Sequence, residues 1–267
     1  MKIAISGKGG VGKTLLTTLL SQTFAKAGYR VLAVDADPDA NLAANLGFPH
    51  PETIVPVSQM KDLIEKRTGS PSGKPEIFFK LNPKVDDLPE KYWMEHKGIR
   101  LMVMGRIKKG GSGCYCTENT LLRALISHLL IVRNEIIIID TEAGIEHLGR
   151  ATASAVDKLI IVVEPGRRSI ETAHTIKQLA SDVGLQSIAV VGNKIHNQSE
   201  KEFIKSNLPD FEFLGFMSYD SAIIAADLAN LSLLSASPQI ASEVEEISKR
   251  LSFITGGKAQ KSVELNN

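Results

Sequence analysis

Short apolar runs alternate along the chain with stretches in which apolar residues recur every three or four positions. The runs lie at 2–6 (KIAIS), 30–35 (RVLAVD), 99–104 (IRLMVM), 135–140 (EIIIID), 157–163 (DKLIIVV), 187–192 (SIAVVG) and 211–216 (FEFLGF). They are nearly continuous in aliphatic residues, the pattern of parallel strands covered on both faces. Helical periodicity follows most of them, at 13–27, 119–133, 169–183, 199–207, 220–230 and 239–253. This alternation predicts an α/β fold, a single-domain, doubly wound, mostly parallel sheet flanked by helices over residues 1–255. Ligands are then expected at the carboxyl ends of the strands. Residues 50–97, rich in Pro, Lys and Gly, break the rhythm and read as a surface insertion of short helices and loops. Residues 256–267 (GGKAQKSVELNN) are polar and read as a disordered tail.

Composition narrows the class. Of the 267 residues, 43% are hydrophobic and 23% charged, ordinary values for a globular chain. A net charge of +1 argues against a strongly basic nucleic-acid surface or a polybasic membrane face, so neither nucleic acid nor membrane is expected as a partner. No apolar run reaches transmembrane length, and the start, MKIAISGKGG, has no signal-peptide pattern. With only two cysteines, the chain suits a reducing compartment, and a cytoplasmic location is expected.

The first strand–helix junction carries the clearest chemistry. GKGGVGKT, Gly7 to Thr14, fits G-x-x-x-x-G-K-[ST] between a predicted strand and helix. In such a loop the backbone N–H groups cradle phosphates at a helix N-terminus, here those of Gly9, Gly10, Val11, Gly12, Lys13, Thr14 and Leu15. Lys13 is expected on the β/γ-phosphates of ATP or ADP and the Thr14 hydroxyl on Mg²⁺. Gly7, Gly9 and Gly12 also satisfy G-x-G-x-x-G, with Asp35 as the ribose acid of a dinucleotide site. Lys13-Thr14 decides for the phosphate loop, because a dinucleotide fold needs no charged residue there. IIIIDTEAG adds Asp140 at the end of a buried strand, where an acid can hold a magnesium-bound water, and Gly144, whose amide can sense a γ-phosphate. Asp35, Asp37 and Asp39 alternate in VDADPDANLA and share one face when extended. Lys8, a second lysine inside the loop, is either a solvated surface lysine or a charge supplied to a partner's nucleotide, as an arginine finger is.

K-G-G-x-G-K-T resembles the deviant Walker A ATPases, the group containing the MinD and ParA positioning proteins, the nitrogenase iron protein and metallochaperone ATPases. The resemblance implies that Lys8 acts across a nucleotide-sandwiched homodimer. It implies that Asp37 orients the attacking water and that Asp35 or Asp39 supports the magnesium shell. Residues 35–39 and 140–147 then form the two switches. Asn193 in VVGNKI, with Lys194 beside it, is implied on adenine, and Phe216–Asp220 forms the other wall. Many relatives carry a proline near Ser218, and Leu15 replaces the usual second hydroxyl, leaving its backbone N–H.

Cys114 and Cys116, in SGCYCTEN, offer two soft thiolates. A tetrahedral or square-planar site wants four, which two copies of the chain related by a two-fold axis supply. The alternative is a pair of small buried hydrophobes. The preceding KKGGSG argues for an exposed loop, and Lys108, Lys109 and a following helix start at Thr117 or Glu118 favour the thiolate form. The lysine-bearing loop, GCYC ahead of a helix, and DTEAGIEHLGR together resemble the CooC-type ATPases over about 250 residues. That resemblance implies Ni²⁺ or Zn²⁺ between protomers at Cys114 and Cys116. It also implies ATP hydrolysis that supports nickel insertion into carbon monoxide dehydrogenase or acetyl-CoA synthase. Glu142, Glu146 and His147 offer either a role in the switch or in metal transfer, or helix capping and salt bridging; the second is the commoner use of a helix-start Glu-x-x-x-Glu-His, and they are not counted in the metal site. Two rival readings are an electron-donating ATPase with a [4Fe–4S] cluster and a MinD/ParA-like positioning ATPase. The last helix, with Ile240, Val244, Ile247 and Leu251 on one stripe, reads as core packing.

Overall fold

The computed structural model describes residues 1–37, 40–69, 80, 82–105, 117–132, 135–141, 153–229 and 231–263, with the backbone alone for 132 and 252–263. The described elements run β1 (Lys2–Gly7), α1 (Lys13–Lys26), β2 (Val31–Ala36), α2 (Leu42–Asn45), α3 (Lys61–Thr68), α4 (Leu88–Tyr92), β3 (Met94–His96), β4 (Ile99–Val103), α5 (Thr117–Val132) and β5 (Ile136–Thr141). They continue with β6 (Lys158–Val163), α6 (Arg167–Asp182), β7 (Ile188–Ile195), α7 (Gln198–Asn207), β8 (Glu212–Ser218), α8 (Ser221–Leu228), α9 (Leu233–Ala236) and α10 (Pro238–Val263).

All eight strands join one sheet in the order β3-β4-β2-β5-β1-β6-β7-β8, and every neighbouring pair is parallel except β3 with β4. The predicted strands are therefore all present. β1 lies centrally and hydrogen-bonds to β5 on one side and β6 on the other. Because the parallel strands run the same way, Gly7, Ala36, Thr141, Val163, Ile195 and Ser218 all end at one edge.

Both faces of the sheet are covered, which is why the strands read as unbroken apolar runs. On one face Ile3, Ile5, Ala33 and Ile138 pack with Leu16, Leu19 and Leu20 of α1 and with Val244, Ile247 and Leu251 of α10. On the other, Ala4, Val34 and Ile139 pack with Leu122, Leu125 and Leu129 of α5 and with Ile170, Ala173 and Ile176 of α6. Each fully buried aliphatic side chain contributes about 1.5–3 kcal/mol. The stripe predicted on the last helix is thus a core stripe.

The segment 50–97 departs from the expected loops and short helices by adding β3, which extends the sheet edge. Lys97 and Gly98 both have positive φ, 49° and 75°, and close a tight hairpin back to β4. α10 runs on past its expected end at 253 and into the segment read as a tail. Lys258, Ala259, Gln260 and Lys261 are good helix formers and outweigh the two glycines before them. No described helix is long and apolar enough to cross a membrane.

Candidate nucleotide site

The site is built where β1 stops. Gly7 ends the strand at φ 150°, and a Cβ on it would lie 2.5 Å from the Val162 carbonyl oxygen of β6. Only glycine lets the chain turn so close to its neighbour. Gly10 and Gly12 also have positive φ, and Gly12, at 97°, caps α1 with no side-chain hydrogen bond. The first amides of α1 therefore point into the loop without a side-chain acceptor, the arrangement that binds an anion. Lys13 is buried at the head of the helix. Sequence placed Gly9 to Leu15 in this loop, and the structure brings them together there.

Two acids face the loop from neighbouring strands. Asp35 of β2 and Asp140 of β5 are directly paired in the parallel register and both are fully buried. Asp35 accepts hydrogen bonds from the backbone N–H of Asp37, at 3.2 Å, and of Leu42, at 3.0 Å. Burial nevertheless pushes its pKa up to about 6. Asp140 is pushed up to about 7, first by burial and further by Asp35 and Asp37. The Thr14 hydroxyl and the Lys13 charge act in the opposite direction. The Thr14 contact falls short of a hydrogen bond, and both carboxylate oxygens of Asp140 are buried without a hydrogen-bond partner. A buried carboxylate in that state has a large unmet electrostatic demand. Mg²⁺ with its hydration shell fits it. Thr14, Asp35 and Asp140 are the groups that would hold the ion, and the ion would neutralise charge developing on the phosphates. Thr141, next to Asp140, ties β5 back to β1 by donating to the Ile5 carbonyl at 2.9 Å.

On the other side, β6 and β7 brace the loop. Asn193, buried, donates from Nδ2 to the Val11 carbonyl at 2.7 Å and accepts from the Lys194 N–H at 2.8 Å. A Cβ on Gly12 would collide with that amide. The Asn193 side chain, expected on adenine, is thus engaged with the phosphate loop. Lys194 adopts φ 59°, and its Nζ donates to the Gly10 carbonyl at 2.6 Å and to Glu164 at 3.0 Å. A left-handed lysine at such a place marks a position held by its surroundings. Glu164 also receives Lys8 at 3.7 Å, both side chains being partly exposed. Lys8 therefore lies on the rim of the loop in a loose ion pair worth about 0–1 kcal/mol, easily exchanged for another anion.

Glu164 and the bracing role of Lys194 were not read from the sequence. LIIVVEPG carries the signal, an acid immediately after a buried strand, as IIIIDTE does for Asp140. Asp39, Gly144, Cys114 and Cys116 lie outside the described residues, as do Glu142, Glu146 and His147. Among the described residues, no group of three or more His, Cys, Asp or Glu side chains has the geometry of a metal site.

A family model described as the CobQ/CobB/MinD/ParA nucleotide binding domain matches residues 2–233. The chain belongs to this CobQ/CobB/MinD/ParA family. Among its relatives is the carbon monoxide dehydrogenase accessory protein CooC of Rhodospirillum rubrum, 47% identical over 240 residues, covering 89% of this chain and 91% of that one. An uncharacterized ATP-binding protein of Methanocaldococcus jannaschii is 44% identical over 250 residues, covering 92% of this chain and 96% of its own. Solved structures of the same fold include the septum site-determining protein MinD with Mg-ADP from Pyrococcus horikoshii, at TM-score 0.68 and 20% identity. It covers 96% of this chain and 97% of that one. The MinC:MinD complex of Aquifex aeolicus gives TM-score 0.69 at 23% identity, over 94% of each chain. As a member of this family the chain is a P-loop nucleotide-binding protein. The CooC resemblance drawn from the sequence stands, as does the expected doubly wound sheet.

Proposed function

We propose that this protein is an ATP-hydrolysing nickel-insertion factor that works as a nucleotide-closed homodimer. The observation that carries the reading is the 47% identity to CooC along 89% of the chain. In this scheme the amides from Gly9 to Leu15 and the Lys13 ammonium hold the ATP phosphates. Thr14, Asp35 and Asp140 hold Mg²⁺, Asp37 orients the attacking water, and the Gly144 amide senses the γ-phosphate. Lys8 leaves Glu164 and neutralises charge on the partner's nucleotide. Its loose pair with Glu164 supports that step, because little free energy is lost when it breaks. The nucleoside lies between Asn193–Lys194 and the Phe216–Asp220 segment, the placement that the family resemblance implies, while Asp35 and Asp140 stand on the magnesium side of the loop.

Cys114 and Cys116 from two protomers give four thiolates for one Ni²⁺ or Zn²⁺, the metal being cargo rather than a resident cofactor. ATP closes the dimer and completes the thiolate set. Hydrolysis reopens it and releases the metal to a client, carbon monoxide dehydrogenase or acetyl-CoA synthase. The test is molecular mass and bound nickel or zinc per chain, with ADP and with ATP, for the wild type and for Cys114→Ser/Cys116→Ser. The expected result is one metal per dimer, dependent on nucleotide and lost in the double variant. Full metal retention by that variant rejects the site. An iron–sulfur absorption band after anaerobic purification decides instead for an electron-donating ATPase.

A further inference from the structure

At the edge of the sheet opposite the phosphate loop, α1 ends beside a cavity of about 420 Å³. Ile99, which lines it, is the first residue of β4, so the cavity lies where the parallel strands begin. α1 has 14 residues, which sets its last turn about 20 Å from the loop at its head. The cavity is therefore separate from the nucleotide site. Gln22, Ala25 and Lys26 supply one wall, because residues three and four apart share a helix face. Gly47, just past α2, the β3–β4 hairpin and the 231–235 segment supply the others. Ala25 and Gly47 are the small residues that leave the space open, and buried Leu46 and Ile99 give it an apolar floor.

The rest of the lining is polar and basic. Gln22, Lys26, Asn45, Lys97, Ser232 and Ser235 line the cavity, and among the described residues no Asp or Glu does. Lys97 adopts φ 49° in the hairpin, and its Nζ lies 3.8 Å from where a Cβ on Gly47 would sit, which places the ammonium over that wall. Glu245, whose carboxylate feels the Lys26 charge, is itself paired with Lys249 at 2.7 Å. Gln22 Oε1 is buried without a hydrogen-bond partner. Such an oxygen costs the folded protein stability until a donor reaches it.

Two ammonium groups without a counter-ion suit a dianion, and a partnerless buried oxygen suits a hydroxyl carried by the same ligand. We infer that this cavity is a binding site for a sugar phosphate, a phosphate monoester on a polyhydroxylated carbon chain. The phosphate lies between Lys26 and Lys97, a sugar hydroxyl donates to Gln22 Oε1, and the carbon skeleton covers Leu46 and Ile99. The volume is in the range of cavities that hold small ligands.

The experiment titrates ribose 5-phosphate, inorganic phosphate and ribose in turn into the full chain by calorimetry, with Mg·ADP saturating the phosphate loop. Ribose 5-phosphate is expected to bind once per chain, inorganic phosphate about tenfold more weakly, and ribose not measurably. Lys26→Gln and Lys97→Gln should each weaken ribose 5-phosphate by about tenfold or more and leave the ADP dissociation constant unchanged. Gln22→Met removes the buried oxygen at nearly constant volume. It should raise the melting temperature of the ligand-free protein and reduce ribose 5-phosphate affinity to that of inorganic phosphate. Ala25→Leu fills the cavity while keeping every charge, and should abolish binding of both anions. A wild type that takes up no ribose 5-phosphate overturns the inference, as does one that binds it no better than inorganic phosphate. Binding that survives Ala25→Leu overturns it too, since scattered surface charge then suffices. Should Ala25→Leu fail to fold, Gln22→Met decides: an unchanged preference for ribose 5-phosphate over inorganic phosphate refutes the site.

Discussion

Asp140 has both carboxylate oxygens buried without a hydrogen bond, opposite Asp35, and the two titrate near 7 and 6. Burial raises both pKa values above those of the unfolded chain, so between about pH 4 and 7 the native state binds more protons than the unfolded one. Stability of the metal-free protein then falls as pH rises through that window and levels off above it. The melting temperature in EDTA is expected to be lower at pH 8 than at pH 6. Asp140→Asn should remove most of that slope and stabilise the metal-free protein at pH 7.5 by on the order of 1–3 kcal/mol, while abolishing the stabilisation given by Mg²⁺ with nucleotide. A melting temperature that rises between pH 6 and pH 8 in EDTA contradicts this account. Lys8 sits at the opposite extreme, in a 3.7 Å pair at the rim. Lys8→Ala is expected to change stability by less than ~1 kcal/mol and leave ATP affinity nearly intact, yet lower turnover by about 10³-fold or more. Calorimetric binding and phosphate release measured on the same sample separate these outcomes. Residue identities in the loop were readable because each does one job at a fixed spacing. Glu164 was not, because an acid after a strand acquires its meaning only when Lys8 and Lys194 arrive from other segments.

At the scale of elements, the junctions at strand ends carry the site, and glycines set how closely they approach. Gly12→Ala forces a side chain into φ 97° and into the Asn193 amide at once. The variant is expected to lose nucleotide binding altogether, read by calorimetry, and to cost more than ~1 kcal/mol of stability. Gly192 of β7 is packed under the Phe216 ring so tightly that a Cβ would strike it. Gly192→Ala should therefore displace the β8 wall, costing about 1–3 kcal/mol in chemical denaturation and weakening ATP at the same time. A variant with unchanged midpoint and affinity shows that the ring moves freely. The strands were legible because burial on both faces leaves an unmistakable apolar run. β3 was not, since three half-exposed residues, Met94–His96, join the sheet only through pairing with β4. The end of α10 is illegible for a different reason: a polar composition predicts disorder from 256, whereas helix propensity carries the described helix to Val263.

The whole molecule presents its phosphate loop, Lys8 and the exits of β6, β7 and β8 along one edge of the sheet, the edge through which a second copy would supply its own lysine. Mixing two inactive variants tests this directly. In the proposed mechanism Lys8→Ala retains Asp37 and lacks only the lysine it lends, whereas Asp37→Ala lends Lys8 and lacks its own water-orienting acid. Random pairing gives one working site in half the dimers, so a one-to-one mixture is expected to recover about a quarter of wild-type turnover. No recovery, with dimers confirmed by mass, shows that Lys8 acts within its own chain. The sequence by itself determined the sheet class, the phosphate loop, the acids on the adjoining strands and the kinship with CooC-type ATPases, because each is written in contiguous residues at fixed spacing. The tertiary structure alone decided that Asp35 and Asp140 face each other, that Glu164 gathers two lysines, and that Gln22, Lys26 and Lys97 line one cavity. Those relations join residues far apart along the chain, and only the strand order and the packing of α1 on the sheet bring their charges and hydrogen-bonding groups within reach.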